Sequence, residues 1–214
     1  MDVIVESLIL YAVLFLRFSY GAAPPAEPAE FSAAAEIARI FGYNIPSLAL
    51  IWYLLLKVKS LKKWGVSYPQ KKDILPAALS FPALILIGFS ISIVSQQFAE
   101  IPPEPGVLPP QSVFAWIVLV ISCISSAYLE ESFFRFYLLS KRVELKIGPH
   151  RAVLLSTLVF SICHIYEGPW GFLNAALSGM FLAIMFMRYK SLHGISIAHA
   201  MYNILVYVLG SIKG

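Results

Sequence analysis

Long apolar stretches separated by short polar segments make up most of this chain. A helix needs roughly 20 apolar residues to cross the core of a bilayer, and several of the stretches approach or exceed that length. The pattern predicts seven membrane-spanning helices, at residues 3–20, 40–57, 74–94, 113–139, 152–166, 170–187 and 195–209. Residues 21–30 and 98–110 are rich in proline and are typical of external loops. We therefore expect an all-α, polytopic transmembrane helix bundle.

Composition supports a membrane protein. The chain has 214 residues, of which 59% are hydrophobic and 13% are charged, whereas about 25% of a soluble domain is charged. This length leaves no room for a separate soluble domain. We expect a single integrated membrane domain, in which residues 1–111 hold the first three helices with their loops and residues 112–211 hold the last four.

The basic residues indicate how the chain is oriented in the membrane. Loops on the cytoplasmic side of membrane proteins carry an excess of lysine and arginine. The three segments between helices two and three, four and five, and six and seven hold 12 of the 16 basic residues: Lys57, Lys59, Lys62, Lys63, Lys71, Lys72, Lys141, Arg142, Lys146, Arg151, Arg188 and Lys190. This bias predicts an N-terminus inside and a C-terminus outside, and indicates topology rather than nucleic-acid binding.

The fourth helix carries charges that a membrane helix normally avoids. Each charge at the bilayer centre costs roughly 2.5–3.5 kcal/mol, so Glu130, Glu131 and Arg135 are candidates for function. Glu131 and Arg135 are four residues apart, which places them on one helix face where they can pair. Glu130 is turned about 100° away and has no partner on its own helix. The sequence thus predicts one structural ion pair and one uncommitted carboxylate.

Two further polar groups fall in apolar helices, Phe160 to His164 on the fifth and His199 with Asn203 on the seventh. Any one of them alone is more often a contact between helices than a catalyst. Together, a carboxylate, two imidazoles and a carboxamide are what an acid/base hydrolase uses to move protons and to stabilise an oxyanion.

Helix lengths predict how deep these residues lie. At about 1.5 Å per residue, Glu130 lies roughly 12–15 Å from the cytoplasmic end of its helix, His199 about 9–12 Å and His164 about 18–20 Å. Two of these depths agree and the third differs by about a turn. We expect a site within the membrane that opens toward the cytoplasmic face.

The three groups carry the patterns E-E-x-x-x-R, F-x-x-x-H and H-x-x-x-N, in this order on the fourth, fifth and seventh predicted helices. They resemble the CPBP (Abi) family of intramembrane proteases, which groups type II CAAX prenyl endopeptidases with bacterial bacteriocin-processing and immunity proteins. The resemblance covers residues 112–211. It implies that Glu130 activates water with help from His164 and that His199 and Asn203 bind the oxyanion. Glu131, Arg135 and Phe160 would support the site.

The resemblance also implies partners and a location. We expect a peptide or protein substrate within the lipid bilayer, no nucleic acid and no cofactor. A chain of this size is typical of bacterial members, so we expect a multi-pass protein of the bacterial cytoplasmic membrane. Secreted peptides or tagged membrane proteins are then better candidates for substrates than prenylated proteins.

Two alternatives stay open. Glu130, His164 and His199 could instead ligate zinc, since catalytic zinc sites use three protein ligands and a water, although the chain has no H-E-x-x-H motif. The chain could also be a non-catalytic membrane partner that binds and shields a peptide, as an immunity protein does. Intact motifs favour catalysis, and the absence of an internal repeat disfavours a transporter.

Overall fold

The computed structural model describes residues 3–16, 30–56, 68–98 and 108–213. The predicted loops at residues 21–30, 57–72 and 98–110 lie largely outside these ranges. The described part is helical and contains no strand. Its main helices are α1 (Val3–Leu14), α2 (Ala33–Leu56), α3 (Ile74–Ser95), α4 (Val113–Lys141), α5 (Pro149–Ile162), α6 (Gly168–Tyr189) and α7 (Leu192–Lys213).

These helices confirm the predicted all-α membrane bundle. The segments that contain α2, α3, α4, α6 and α7 are long and apolar enough to cross a bilayer. The other two helices are apolar but shorter, with 12 residues in α1 and 14 in α5. At 1.5 Å per residue they are about 18 and 21 Å long, less than the roughly 30 Å of a hydrocarbon core. Helix α5 ends earlier than predicted, and the chain turns back into α6 through a 3-10 turn, Ile165–Glu167.

Polar contacts gather the predicted cytoplasmic helix ends at one end of the bundle, here called the basic end. The Ser191 hydroxyl before α7 donates to Asp73 Oδ1 before α3, at 2.5 Å. Burial and the nearby Arg142 lower the pKa of Lys190, so the ends of α4 and α6 are also neighbours. At the opposite end, Phe98 and Trp170 approach with ring centroids 5.7 Å apart.

Helix α2 lies along α4 and runs in the same direction. Successive contacts join Arg39 to Ser122, Asn44 to Ser125 and Trp52 to Ser132. Glu36 and Arg39 form an ion pair on α2, and Arg39 connects this pair to α4 through Ser122. A polar seam therefore connects α2 to α4 along much of their length.

Two of the spanning helices contain a π-helical segment, Ile40–Asn44 in α2 and Glu131–Tyr137 in α4. Such wide turns are rare and often occur at functional sites. All seven residues of the second segment are buried, so this part of α4 is surrounded by other helices on every side. It forms the centre of the bundle.

Candidate active site

Of the two glutamates in the site, Glu131 has the closer ion-pair and hydrogen-bond partners. Its Oε2 lies 3.2 Å from Arg135 Nε, and both side chains are fully buried, as the spacing predicted. Its Oε1 accepts a hydrogen bond from His199 Nδ1 at 2.9 Å. Arg135 in turn lies over the Phe160 ring, 4.2 Å from its centroid. This cluster therefore connects α4 with both α5 and α7.

His199 lies between the two glutamates. Its Nδ1 carries the proton that is donated to Glu131, and its other ring nitrogen, Nε2, faces Glu130. Nε2 lies 3.8 Å from Glu130 Oε2, beyond the usual hydrogen-bond range of about 2.7–3.2 Å. The Glu130 side chain is 22% exposed, whereas that of Glu131 is fully buried. Glu130 is thus the accessible and less committed carboxylate, as its position on the helix predicted.

His164 lies in the turn after α5, just beyond the last residue of that helix, Ile162. Its Nδ1 lies 2.9 Å from the Phe160 carbonyl oxygen. A carbonyl can only accept, so Nδ1 carries the proton and Nε2 holds a lone pair in the neutral ring. Its ring also packs on that of Phe160, with centroids 4.5 Å apart. His164 is therefore oriented by its own helix end and has one basic nitrogen to offer.

Glu130 and His164 share the lining of a cavity of about 90 Å³. This volume has room for a few water molecules. The lining residues are Phe15, Arg39, Tyr43, Asn44, Ser126, Leu129, Glu130, Phe134, Cys163, His164 and Tyr166. The predicted residues His199 and Asn203 of α7 are not among them. The structure thus joins Glu130, Glu131, Arg135, His164, His199 and Phe160 in one region, and leaves Asn203 away from the cavity lining.

The wall of the cavity formed by α2 was not predicted from the sequence. Arg39 donates to Glu36 and to Ser122 Oγ, and Asn44 is buried with its Nδ2 donating to two serines of α4. The signal was present, because polar residues in an apolar helix are candidates for function wherever they occur. Unlike the residues of α4, α5 and α7, however, they form no recognisable motif.

Aromatic rings pack together on the side of the cavity that faces the basic end. Phe15 packs on Phe133 and Phe134 with centroids 4.9 and 4.7 Å away, and Phe134 packs on Phe160 at 5.1 Å. Tyr137 stacks on Phe133 at 5.6 Å and is fully buried. These packed rings are here called the aromatic seal. The expected opening toward the cytoplasmic face stays a prediction, because loop charge reports orientation but not how side chains pack between the helices.

The zinc alternative requires three ligands that converge on one point. In the described part of the chain, no group of three or more histidine, cysteine, aspartate and glutamate side chains is placed to hold a metal ion. Glu130 and His199 Nε2 approach each other, while Nδ1 of His199 donates to Glu131, as the second nitrogen of a metal-bound histidine commonly does. The zinc alternative therefore stays a prediction.

A helical membrane bundle with carboxylates and imidazoles around a small internal cavity has the groups that an intramembrane hydrolase requires. Comparison with known families identifies the group. Residues 112–205 match the family described as Rce1-like, type II CAAX prenyl endopeptidase, in agreement with the CPBP resemblance. This region holds all three motifs and supports a CAAX-type intramembrane protease. No curated protein and no solved structure matches significantly.

One prediction concerns the packing that holds the cluster together. A Cβ at Gly179 of α6 would lie 2.6 Å from Phe160 Cδ1 and 3.2 Å from Arg135 Nη2. Gly179→Ala should displace the ring that covers Arg135, and overpacking of this kind costs about 1–3 kcal/mol. We expect a lower melting temperature in detergent, whereas Gly42→Ala, whose Cβ would meet nothing within 4 Å, should not lower it. Equal melting temperatures for the two variants would contradict the close contact.

Proposed function

We propose that the protein is an intramembrane endopeptidase in which Glu130 activates the attacking water with help from His164. This proposal rests on one observation: the two glutamates differ in their bonding partners and in their access to the cavity. Glu131 is held by Arg135 and His199, while Glu130 lines a cavity of water size together with His164. A general base must reach both water and substrate, and of the two glutamates only Glu130 lines that cavity.

The chemistry follows from this arrangement. A water molecule in the cavity attacks the carbonyl carbon of the scissile peptide bond, and its proton passes to Glu130. The carbonyl π electrons move to the oxygen, which becomes an oxyanion. When the C–N bond breaks, the proton held by Glu130 is transferred to the leaving amine, which restores the carboxylate. The neutral form of His164, with its basic Nε2, can orient the water through a hydrogen bond.

The family pattern assigns the oxyanion to His199 and Asn203, and this assignment remains a prediction. His199 Nε2 lies 3.8 Å from Glu130; because Nδ1 already donates to Glu131, Nε2 can donate to an oxyanion beside Glu130 only when the imidazole ring is doubly protonated. Asn203 is four residues further along α7 and does not line the cavity. The contribution of His199 therefore has closer geometric support than that of Asn203.

The central prediction is that Glu130→Gln abolishes cleavage while the fold is kept. The amide retains the shape of the side chain but cannot take a proton, and a general base contributes about 10²–10⁴-fold to the rate. Uncleaved precursor peptides should accumulate in membranes of cells that carry this variant and should be detected by mass spectrometry. The control is Glu144→Gln, because Glu144 has a largely exposed side chain near Lys141. Identical peptide profiles for wild type and Glu130→Gln would contradict the proposed protease and favour a non-catalytic partner.

We further propose that substrates reach Glu130 from the end opposite the basic end. The aromatic seal lies between the cavity and the basic end, and the lining residues Arg39 and Tyr166 lie on the side away from it. If the basic end is cytoplasmic, the substrates are membrane-associated or exported peptides that present their scissile bond on the outer side. In the bacterial cytoplasmic membrane, this favours secreted peptides or tagged membrane proteins over prenylated proteins of the cytoplasm.

Thiol labelling tests this route. In a background with both native cysteines replaced, a cysteine at Tyr166 should react with an impermeant thiol reagent in intact cells. So should one at Gln111, which is exposed near the start of α4. A cysteine at Val143, which is 62% exposed at the basic end, should react only after the cells are permeabilised. The adduct at Tyr166, but not that at Val143, should block cleavage. The reverse labelling pattern would invert the topology and the proposed route.

The zinc-dependent alternative predicts a different response to metal removal. If Glu130 acts as a general base without metal, the purified protein should retain its activity after dialysis against a strong chelator. Elemental analysis should then find no stoichiometric zinc. Loss of activity that is restored by added zinc would support the metalloprotease instead.

A further inference from the structure

Ser126 occupies a particular place in the cavity. It lies four residues before Glu130 on α4, and both residues line the cavity. At this spacing two side chains share a helix face with their Cβ atoms about 5–6 Å apart. A peptide carbonyl that is attacked from the Glu130 side can therefore bring its oxygen next to Ser126.

The hydrogen bonds around Ser126 leave its hydroxyl free to donate. Asn44 Nδ2 donates to Ser126 Oγ at 3.0 Å and to Ser125 Oγ at 2.8 Å. Ser125 then uses its own proton in a bond to the Ser122 carbonyl oxygen at 3.0 Å. For Ser126, the described residues provide no such acceptor. Because a hydroxyl can accept and donate at the same time, the Ser126 O–H can point into the cavity.

Asn44 holds this hydroxyl in place. Its side chain is buried, with 1% of the residue exposed, and its amide group bridges the two neighbouring serines. It belongs to the π-helical segment of α2, outside residues 112–205 that match the family. Asn44, which precedes the matched region, therefore positions Ser126, which lies within that region.

We propose that Ser126 is a further catalytic residue, which donates a hydrogen bond to the oxyanion that forms on the scissile carbonyl, and that Asn44 is its positioning residue. This inference rests on the proposed protease function. Water oxygen bonds to the carbonyl carbon, Glu130 accepts the water proton, and the electron pair of the broken π bond settles on the oxygen that Ser126 contacts. Ser126 keeps its own proton throughout and forms no covalent bond. Preorganised donors of this kind stabilise charge that develops only in the transition state.

The test compares two adjacent serines that share one partner. The purified full-length protein in lipid nanodiscs is assayed with the precursor that accumulates in Glu130→Gln membranes. Ser126→Ala should lower kcat by about 10²–10³-fold, the effect of losing one oxyanion donor, with little change in KM. Ser126→Thr keeps a hydroxyl and should recover most of the activity. Ser125→Ala loses a hydroxyl bonded to the same Asn44 but directed to the backbone, and should retain near wild-type kcat.

The outcomes separate this inference from the function on which it rests. If no precursor accumulates with Glu130→Gln, the proposed protease fails. If wild-type protein cleaves the precursor and Ser126→Ala matches Ser125→Ala in kcat, the protease stands and the role of Ser126 is refuted. A large kcat loss in Ser126→Ala with equal melting temperatures for both alanine variants would support the catalytic role, because a merely structural serine would change stability instead.

Discussion

The contact of Glu131 with Arg135 and His199 is the constraint on which the site depends. In an apolar bundle, an isolated charge is so costly that each charge needs a partner. Here the partners come from a single helix turn and from α7, and the Phe160 ring covers the guanidinium from α5. Removing one member of a buried ion pair costs about 3–5 kcal/mol, because the remaining charge is left unpaired. Three helices are thus tied to one carboxylate, which fixes the position of its neighbour Glu130.

The all-helical bundle and the pairing of Glu131 with Arg135 could be predicted from the sequence. The lengths of the apolar stretches indicate membrane helices, and the four-residue spacing of Glu131 and Arg135 indicates their contact, because both follow from the regular geometry of a helix. The predicted helix termini were less accurate, since the fifth helix was expected to reach residue 166 and α5 ends at Ile162. That early end was not predicted, because the clear helix-breaking residues, Gly168 and Pro169, come several positions later.

The cavity could not be predicted in the same way. Its α2 wall depends on Asn44 meeting serines more than 80 positions away, and no pattern local to either helix encodes that distance. The aromatic seal has the same origin. Phenylalanines at positions 15, 133, 134 and 160 are ordinary in membrane helices, and only the folded chain brings their rings into contact at one end of the cavity. Loop charge reports which end faces the cytoplasm, but it carries no information about packing between helices.

The two π-helical segments show how these features can coexist in one bundle. A π turn inserts an extra residue into a helix and so changes which side chains face a given neighbour. In α4 the segment starts at Glu131, directly after Glu130, so the cavity-facing glutamate ends a regular helix and the buried pair lies in the widened turn. In α2 the segment ends at Asn44, the residue that reaches the α4 serines. Both irregular turns therefore border the cavity, with Glu130 and Ser126 between them on a regular stretch of α4. Glu130 and Ser126, which are proposed to act on the substrate, thus lie on regular α-helix, and the residues that position them, Glu131 and Asn44, lie in the π-helical segments.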